Sequence, residues 1–174
     1  EMMGRGYTVE SYMEKAGLLK SLYPGISITT DIIVGFPGET DDDFTATMDV
    51  ARKMEFDGCF SFKYSPRPMT KAANLPAQVD NDVKKARLQT LLSEQKAITI
   101  RKNSLLEGTI VEVLAEGVSK NSPEELIGKT SCGRLVNFRG SSALTGSIVR
   151  VRVVSSCANS LKGELTARTE VSNS

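Results

Sequence analysis

Three groups of residues in this sequence could do chemistry. The first is TDIIVGFPGET, Thr30 to Thr40, where Asp31 stands in an apolar run and Gly35, Pro37 and Gly38 bend the chain ahead of an acidic turn. An aspartate in a buried apolar strand is expensive unless it is paired or used. Gly35 and Gly38 allow close backbone approach, Pro37 stiffens the bend, and a following helix N-terminus offers free N–H groups. The pattern is not GxGxxG and lacks the Gly-Lys-Ser/Thr of a phosphate loop, and Glu39, Asp41, Asp42 and Asp43 would repel phosphate. A neutral or cationic ligand edge, bonded to backbone or carboxylate, suits the stretch; so does a plain capped strand-to-helix turn.

The second group is arginine on stiffened loops. Arg67 lies between Pro66 and Pro68 in SPRPMT, which suits a guanidinium meant for a carboxylate, a phosphate or a base. Arg5 in MMGRGYT has the same potential, and for both the alternative is a solvated surface arginine. The third group is basic. From Leu105 to Gly128 there are five glutamates against Lys120 alone, whereas from Lys129 to Arg168 there are seven Lys or Arg against Glu164. Lys129, Arg134, Arg139, Arg150, Arg152 and Lys162 could attract a nucleic-acid backbone, and Phe138 in VNFRG could stack on a base. The competing reading is a solvated face with Phe138 in the core.

Other chemistries are excluded by residue type. The 174 residues contain no histidine, so a His-based triad, a His-ligated zinc and a histidine general base are absent from this sequence. Cys59, Cys132 and Cys157 are odd in number, far apart and without CxxC spacing, which points to isolated thiols rather than a disulfide framework or metal site. The net charge is +1, with 40% hydrophobic and 25% charged residues, as in ordinary globular proteins. No apolar run approaches the roughly 18 to 20 residues of a membrane span, and no charged-then-apolar leader opens the sequence. A cytoplasmic protein without a membrane partner is expected.

The elements that must position these groups follow from periodicity. Thr8 caps a helix whose Val9, Tyr12, Met13, Ala16 and Leu19 recur at helical spacing and which stops near Pro24-Gly25. Ile26 to Val34 form a strand expected to be covered on both faces. Thr40-x-x-Asp43 is a capping box opening a helix to about Met54. A second strand, Cys59 to Tyr64, ends at SPRPMT, and a long helix runs from about Asp80 to Leu105. This order predicts a parallel β/α arrangement, a piece of a doubly wound sheet or of a barrel. Two strands are few for such a sheet, and the N-terminal hundred residues look like the later half of something larger. After Gly108, five short β segments (TIVEVLAEG, ELIGKT, RLVNFRG, GSIVRVRVVSS and SLKGELTART) predict a small antiparallel OB-like barrel. Val149, Val151 and Val153 should face its interior and Arg150 and Arg152 its exterior.

In order, MMGRGYTVESY, TDIIVGFPGET, FSFKYSPRPMTKAANLPAQV, the KKARLQTLLSEQ helix, EGVSKNSPEELIGKT, RLVNFRG and NSLKGEL span the chain and closely resemble the radical S-adenosylmethionine methylthiotransferases. The likeness is greatest to the MiaB-type enzymes, which add a methylthio group to C2 of isopentenyladenosine beside the tRNA anticodon. The resemblance implies that residues 1–104 are the C-terminal portion of a partial β/α (radical SAM) barrel and residues 105–170 a TRAM domain, a small RNA-binding β-barrel.

It further implies an S-adenosylmethionine pocket to which Asp31, Gly35, Glu39, Arg67 and Arg5 contribute, and tRNA, through its anticodon stem-loop, as the partner of a monomer. Family members hold two 4Fe-4S clusters through cysteines of an N-terminal domain and a CxxxCxxC motif that have no counterpart in these residues. No catalytic residue and no metal ligand is therefore assigned here, and the chain alone is expected to be inactive. The sequence departs from the family in SPRPMT, with Met69 for a common glycine and Lys71 for a frequent proline. It departs again from the adenosine-lining GxIxGxxE, where Asp31 takes the first position, Gly38 the last, and Glu39 follows one residue late. A stand-alone RNA-binding module and a ribosomal-protein methylthiotransferase are the alternatives.

Overall fold

A computed structural model describes residues 3–120 and 122–166. Arg168 and the end of the barrel expected at residue 170 lie outside the described residues. The chain divides into two compact units, residues 1–98 and 99–174.

In the first unit the Thr8 hydroxyl accepts the Ser11 N–H and caps α1, Val9–Leu22. Strand β1, Thr29–Val34, runs parallel to β2, Gly58–Lys63, with Asp31 beside Phe60 and Ile33 beside Phe62. Between them lies α2, Asp41–Met54, opened by the reciprocal capping box of Thr40 and Asp43. The long helix α3, Asn81–Ser104, starts where the Asp80 carboxylate accepts the Asp82 N–H. Val34, Met48, Ala51 and Leu91 are buried together, with Ile32, Phe44 and Leu88 against them, so α2 and α3 seal one face of the two-stranded sheet. A second cluster, Ala16, Met54 and Phe56 with Tyr12, Met13, Ile28 and Val50, fastens α1.

The opposite face of the sheet is open. Asp31, Ile33, Phe60 and Phe62 are exposed, the last two to 63% and 54%. The expectation of a strand covered on both faces is thus corrected. Side chains alternate across a strand, and the helices of this unit supply a lid for the Ile32–Val34 side alone.

The second unit is a closed barrel of β3 (Ile110–Val118), β4 (Glu125–Thr130), β5 (Leu135–Arg139), β6 (Ile148–Ser156) and β7 (Leu161–Leu165), in the order β3-β4-β5-β7-β6. Pairing is antiparallel except between β5 and β7, which run parallel. Irregularities at Ala115/Gly117 and Val153/Ser155 bend the two longest strands, as closing a small barrel requires. Gly128 serves the same closure by close approach: a Cβ there would stand 2.3 Å from the Leu114 carbonyl oxygen of the paired strand. Val113, Ala115, Leu126, Val136, Phe138, Val149, Val151, Val153 and Leu161 fill the interior. With each of these at about 1% exposure or less, they carry the unit's hydrophobic stabilisation, roughly 1.5–3 kcal/mol for each large side chain.

Candidate functional site

The turn after β1 is built around one buried cation. Gly35 has φ +72, a conformation in which a side chain is strained. Its N–H donates to Glu39 Oε2 at 2.7 Å, and the Glu39 N–H returns to the Phe36 carbonyl at 2.9 Å. The same Glu39 oxygen accepts from Arg87 Nη1 of α3, while Arg87 Nη2 reaches Asp41 Oδ1 at 2.6 Å. The Arg87 side chain is 7% exposed and that of Glu39 10%, whereas Asp41 is open to solvent. Burial pushes the guanidinium pKa down, but the Asp41 and Glu39 carboxylates outweigh it and hold Arg87 above its ordinary value. Gly38 N–H donates to Ala77 O at 2.9 Å, tying the turn to the loop after β2. The N–H groups of Gly35, Gly38 and Glu39 are therefore spent on the turn and its neighbouring loop.

These contacts separate the residues singled out from the sequence. Asp31 is on the open face next to Phe60, and among the described residues no hydrogen bond or ion pair holds its carboxylate. It is exposed, not buried, which removes the cost first attached to it. Gly35 and Glu39 face the other way, into the packing under α3. The reading of Glu39 as a cofactor ligand is corrected, because its carboxylate closes a structural bridge between the turn and Arg87. Arg5 and Arg67 are both exposed, and no contact among the described residues joins either to Asp31. The SPRPMT loop holds Met69 at φ +67, fully exposed, in a left-handed backbone conformation that glycine adopts without strain.

Sequence reasoning missed Phe60, Phe62 and Arg87. The alternation of Phe60 and Phe62 with Cys59 and Ser61 marks one face of β2, and parallel pairing sets it beside Asp31. Arg87 carries no local signal, since its partners are 46 and 48 residues away.

On the barrel, Arg150 and Arg152 project outwards from β6 and Lys162 from β7, all exposed. Their cross-strand partners temper the charge: Glu112 lies opposite Arg150, and Glu164 opposite Arg152. Lys129 pairs with Glu116 at 3.1 Å and Arg139 with Glu124 at 3.5 Å, both on the surface. Arg134 turns to its own hairpin, with Nη1 2.9 Å from Cys132 Sγ and Nε 3.2 Å from Asn103 Oδ1. Phe138 is 1% exposed, so the assignment of a base-stacking ring is corrected. The alternation of β5 that points Arg139 out points Phe138 in.

Burial raises the Cys59 thiol pKa. For Cys132 burial acts the same way, but the Thr130 hydroxyl and the Arg134 guanidinium reverse it and bring the thiol below its ordinary value. Cys157 is exposed. Among the described residues, no group of three or more metal-ligating side chains occurs and no helix is long and apolar enough to cross a membrane. A groove of about 400 Å³ between α1 and the end of α2, lined by Met13, Glu14, Gly17, Lys20, Lys53 and Met54, is mostly apolar.

Residues 105–166 match the TRAM domain family. Over 165 residues, 95% of the chain, the sequence is 48% identical to the tRNA-2-methylthio-N(6)-dimethylallyladenosine synthase of Moorella thermoacetica. Proteins of the same name from Syntrophobacter fumaroxidans and Aquifex aeolicus are 45% and 46% identical over 97% and 94% of the chain. In each case the chain spans 37% of the relative's own length. Residues 105–166 are thus a TRAM domain, and along nearly its whole length the chain is homologous to the tRNA-2-methylthio-N(6)-dimethylallyladenosine synthases.

Proposed function

We propose that the chain is the portion of a tRNA methylthiotransferase that carries one wall of the S-adenosylmethionine pocket and the RNA-binding barrel. The reaction is addition of a methylthio group to C2 of isopentenyladenosine next to the anticodon, by a monomer in the cytoplasm. The observation that carries the reading is 48% identity, over 95% of the chain, to a protein of that name.

The open face of β1 and β2 fits a nucleoside. Asp31 offers a carboxylate acceptor for sugar hydroxyls, and Phe60 beside it offers an apolar ring for a base. S-adenosylmethionine, when bound, supplies the radical-generating and methyl-donating chemistry. Iron–sulfur clusters do not fit the residues of this chain: Cys59, Cys132 and Cys157 stand singly on separate strands and turns. The 174 residues on their own are accordingly proposed to be inactive. The barrel contributes Arg150, Arg152 and Lys162 as the cations with which to meet the phosphates of the anticodon stem-loop.

A chimera in which residues 1–174 replace the matching 37% of the Moorella thermoacetica synthase tests the reading. It should convert isopentenyladenosine in tRNA to the methylthio form, and Asp31→Ala should weaken S-adenosylmethionine binding without loss of tRNA affinity. A chimera that binds tRNA and forms no product would refute the proposal.

A further inference from the structure

We propose that Lys84 and Tyr64 form a carboxylate-binding site at the carboxyl ends of β1 and β2. Lys84, in the first turn of α3, is 7% exposed. Its alkyl stem lies against the turn, so that a Cβ at Gly35 would be 2.3 Å from Lys84 Cγ. The ammonium stands 5.2 Å from the centroid of the Tyr64 ring, which Phe36 meets edge-on at 5.3 Å. The Lys84 backbone N–H donates to the Asp80 carbonyl at 3.0 Å, but no oxygen among the described residues accepts a hydrogen bond from its ammonium. The Tyr64 hydroxyl is fully buried and has no hydrogen-bond partner either.

A buried hydroxyl without an acceptor, beside an ammonium that meets the ring face instead of an oxygen, is a costly arrangement for a protein to keep empty. Nearby acids do not answer them, because Arg87, one turn along α3, engages both Glu39 and Asp41. Nor do backbone N–H groups of the turn complete a phosphate cradle, since those of Gly35, Gly38 and Glu39 are used internally. Tyr64 directly follows the last residue of β2, at the strand edge where parallel β/α proteins take ligands. One ammonium and one phenol match the two oxygens of a monoanionic carboxylate. A phosphate dianion would add charge beside Glu39, Asp41 and Asp42 without gaining donors. The inference does not rest on the methylthiotransferase reading, and either can fail alone.

The test is an acetate titration of the 174-residue chain with isotope-labelled lysine side chains, at constant ionic strength held with chloride. The Lys84 side-chain resonance should move and saturate. Tyr64→Phe should bind acetate at least about fivefold more weakly, the factor for one hydrogen bond, and should melt at a higher temperature than the parent in acetate-free buffer because an unpaired hydroxyl is gone. Lys84→Met should abolish the response. Absence of a saturable shift, or a Tyr64→Phe protein that binds acetate as the parent does, overturns the site. Inorganic phosphate binding as tightly as acetate overturns its assignment to carboxylates.

Discussion

Replacing Arg87 by methionine isolates the interaction on which the β1 turn depends. Methionine keeps most of the side-chain volume and removes the charge and all the donors. The partners are unequal: Glu39 is 10% exposed and Asp41 97%. A fully solvated pair contributes at most about 1 kcal/mol, so almost all of the effect comes from Glu39. Removing one member of a buried pair costs about 3–5 kcal/mol, because the other charge stays desolvated. Glu39 keeps its bond from the Gly35 N–H, which places Arg87→Met at the lower end, about 3 kcal/mol. Glu39→Gln should cost less, about 1–2 kcal/mol, since the amide oxygen can still accept from Gly35. The double variant should be more stable than the two losses summed, by a coupling of about 1–3 kcal/mol.

Urea unfolding followed by tyrosine near-ultraviolet dichroism is the assay. Tyr7, Tyr12, Tyr23 and Tyr64 all lie within residues 1–98 and the chain has no tryptophan, so the signal reports the first unit alone. An Arg87→Met midpoint equal to the parent's, or strictly additive losses, would refute the reasoning.

Three further outcomes follow from local geometry. Met69→Gly should stabilise the first unit by about 0.5–1 kcal/mol, because the left-handed conformation costs other residues about 1–2 kcal/mol and glycine returns part of that as backbone entropy; a fall in the urea midpoint would show that the exposed side chain is used. Phe138→Ala should cost the barrel about 3–5 kcal/mol, seen as lost hydrogen-exchange protection in β4, β5 and β7 with the first unit unaffected; weakened RNA binding by an equally stable barrel would restore the ring as a contact. Cys132 should be alkylated with a pH midpoint below that of a free thiol and Cys59 above it, with Arg134→Met moving Cys132 upwards. Because the folded Cys132 value is depressed, its stabilising increment is present above the unfolded thiol pKa and is lost as pH falls through the folded one.

Local signals were legible from the sequence wherever the cause was local. Thr8, the Thr40/Asp43 box and the valine alternation of β6 each act within a few residues, and the elements they predict are observed with ends shifted by one or two positions. The barrel followed from strand count and turn spacing, but the parallel β5–β7 pair did not, since it joins segments separated by the whole of β6. Asp31 was misjudged for a related reason. Its burial depended on whether anything covers the second face of β1, and no property of TDIIV encodes that. Glu39 was misjudged because its partner, Arg87, stands 48 residues away in a helix whose charged residues otherwise look like a solvated face.

Strand register also changes the argument for RNA. Counted along the sequence, residues 129–168 are strongly basic; counted across strands, much of that charge is already met. Lys129 and Arg139 have carboxylates within 4 Å, and Arg134 is turned into its hairpin. Arg150, Arg152 and Lys162 are the exposed cations of β6 and β7, with Glu112 of β3 set opposite Arg150 and Glu164 of β7 opposite Arg152. Surface pairs such as Lys129–Glu116 are worth at most about 1 kcal/mol, so a phosphate can displace the carboxylate where the geometry allows. If RNA meets β6 and β7 alone, three phosphates are neutralised and the logarithmic salt slope should be about −2 to −3. A slope near −4 would require Lys129 and Arg139 to exchange their glutamates for phosphates, placing the interface across β4 and β5 as well. Arg150→Ala/Arg152→Ala separates these cases, because loss of two contacts should remove most of the smaller slope and less than half of the larger one.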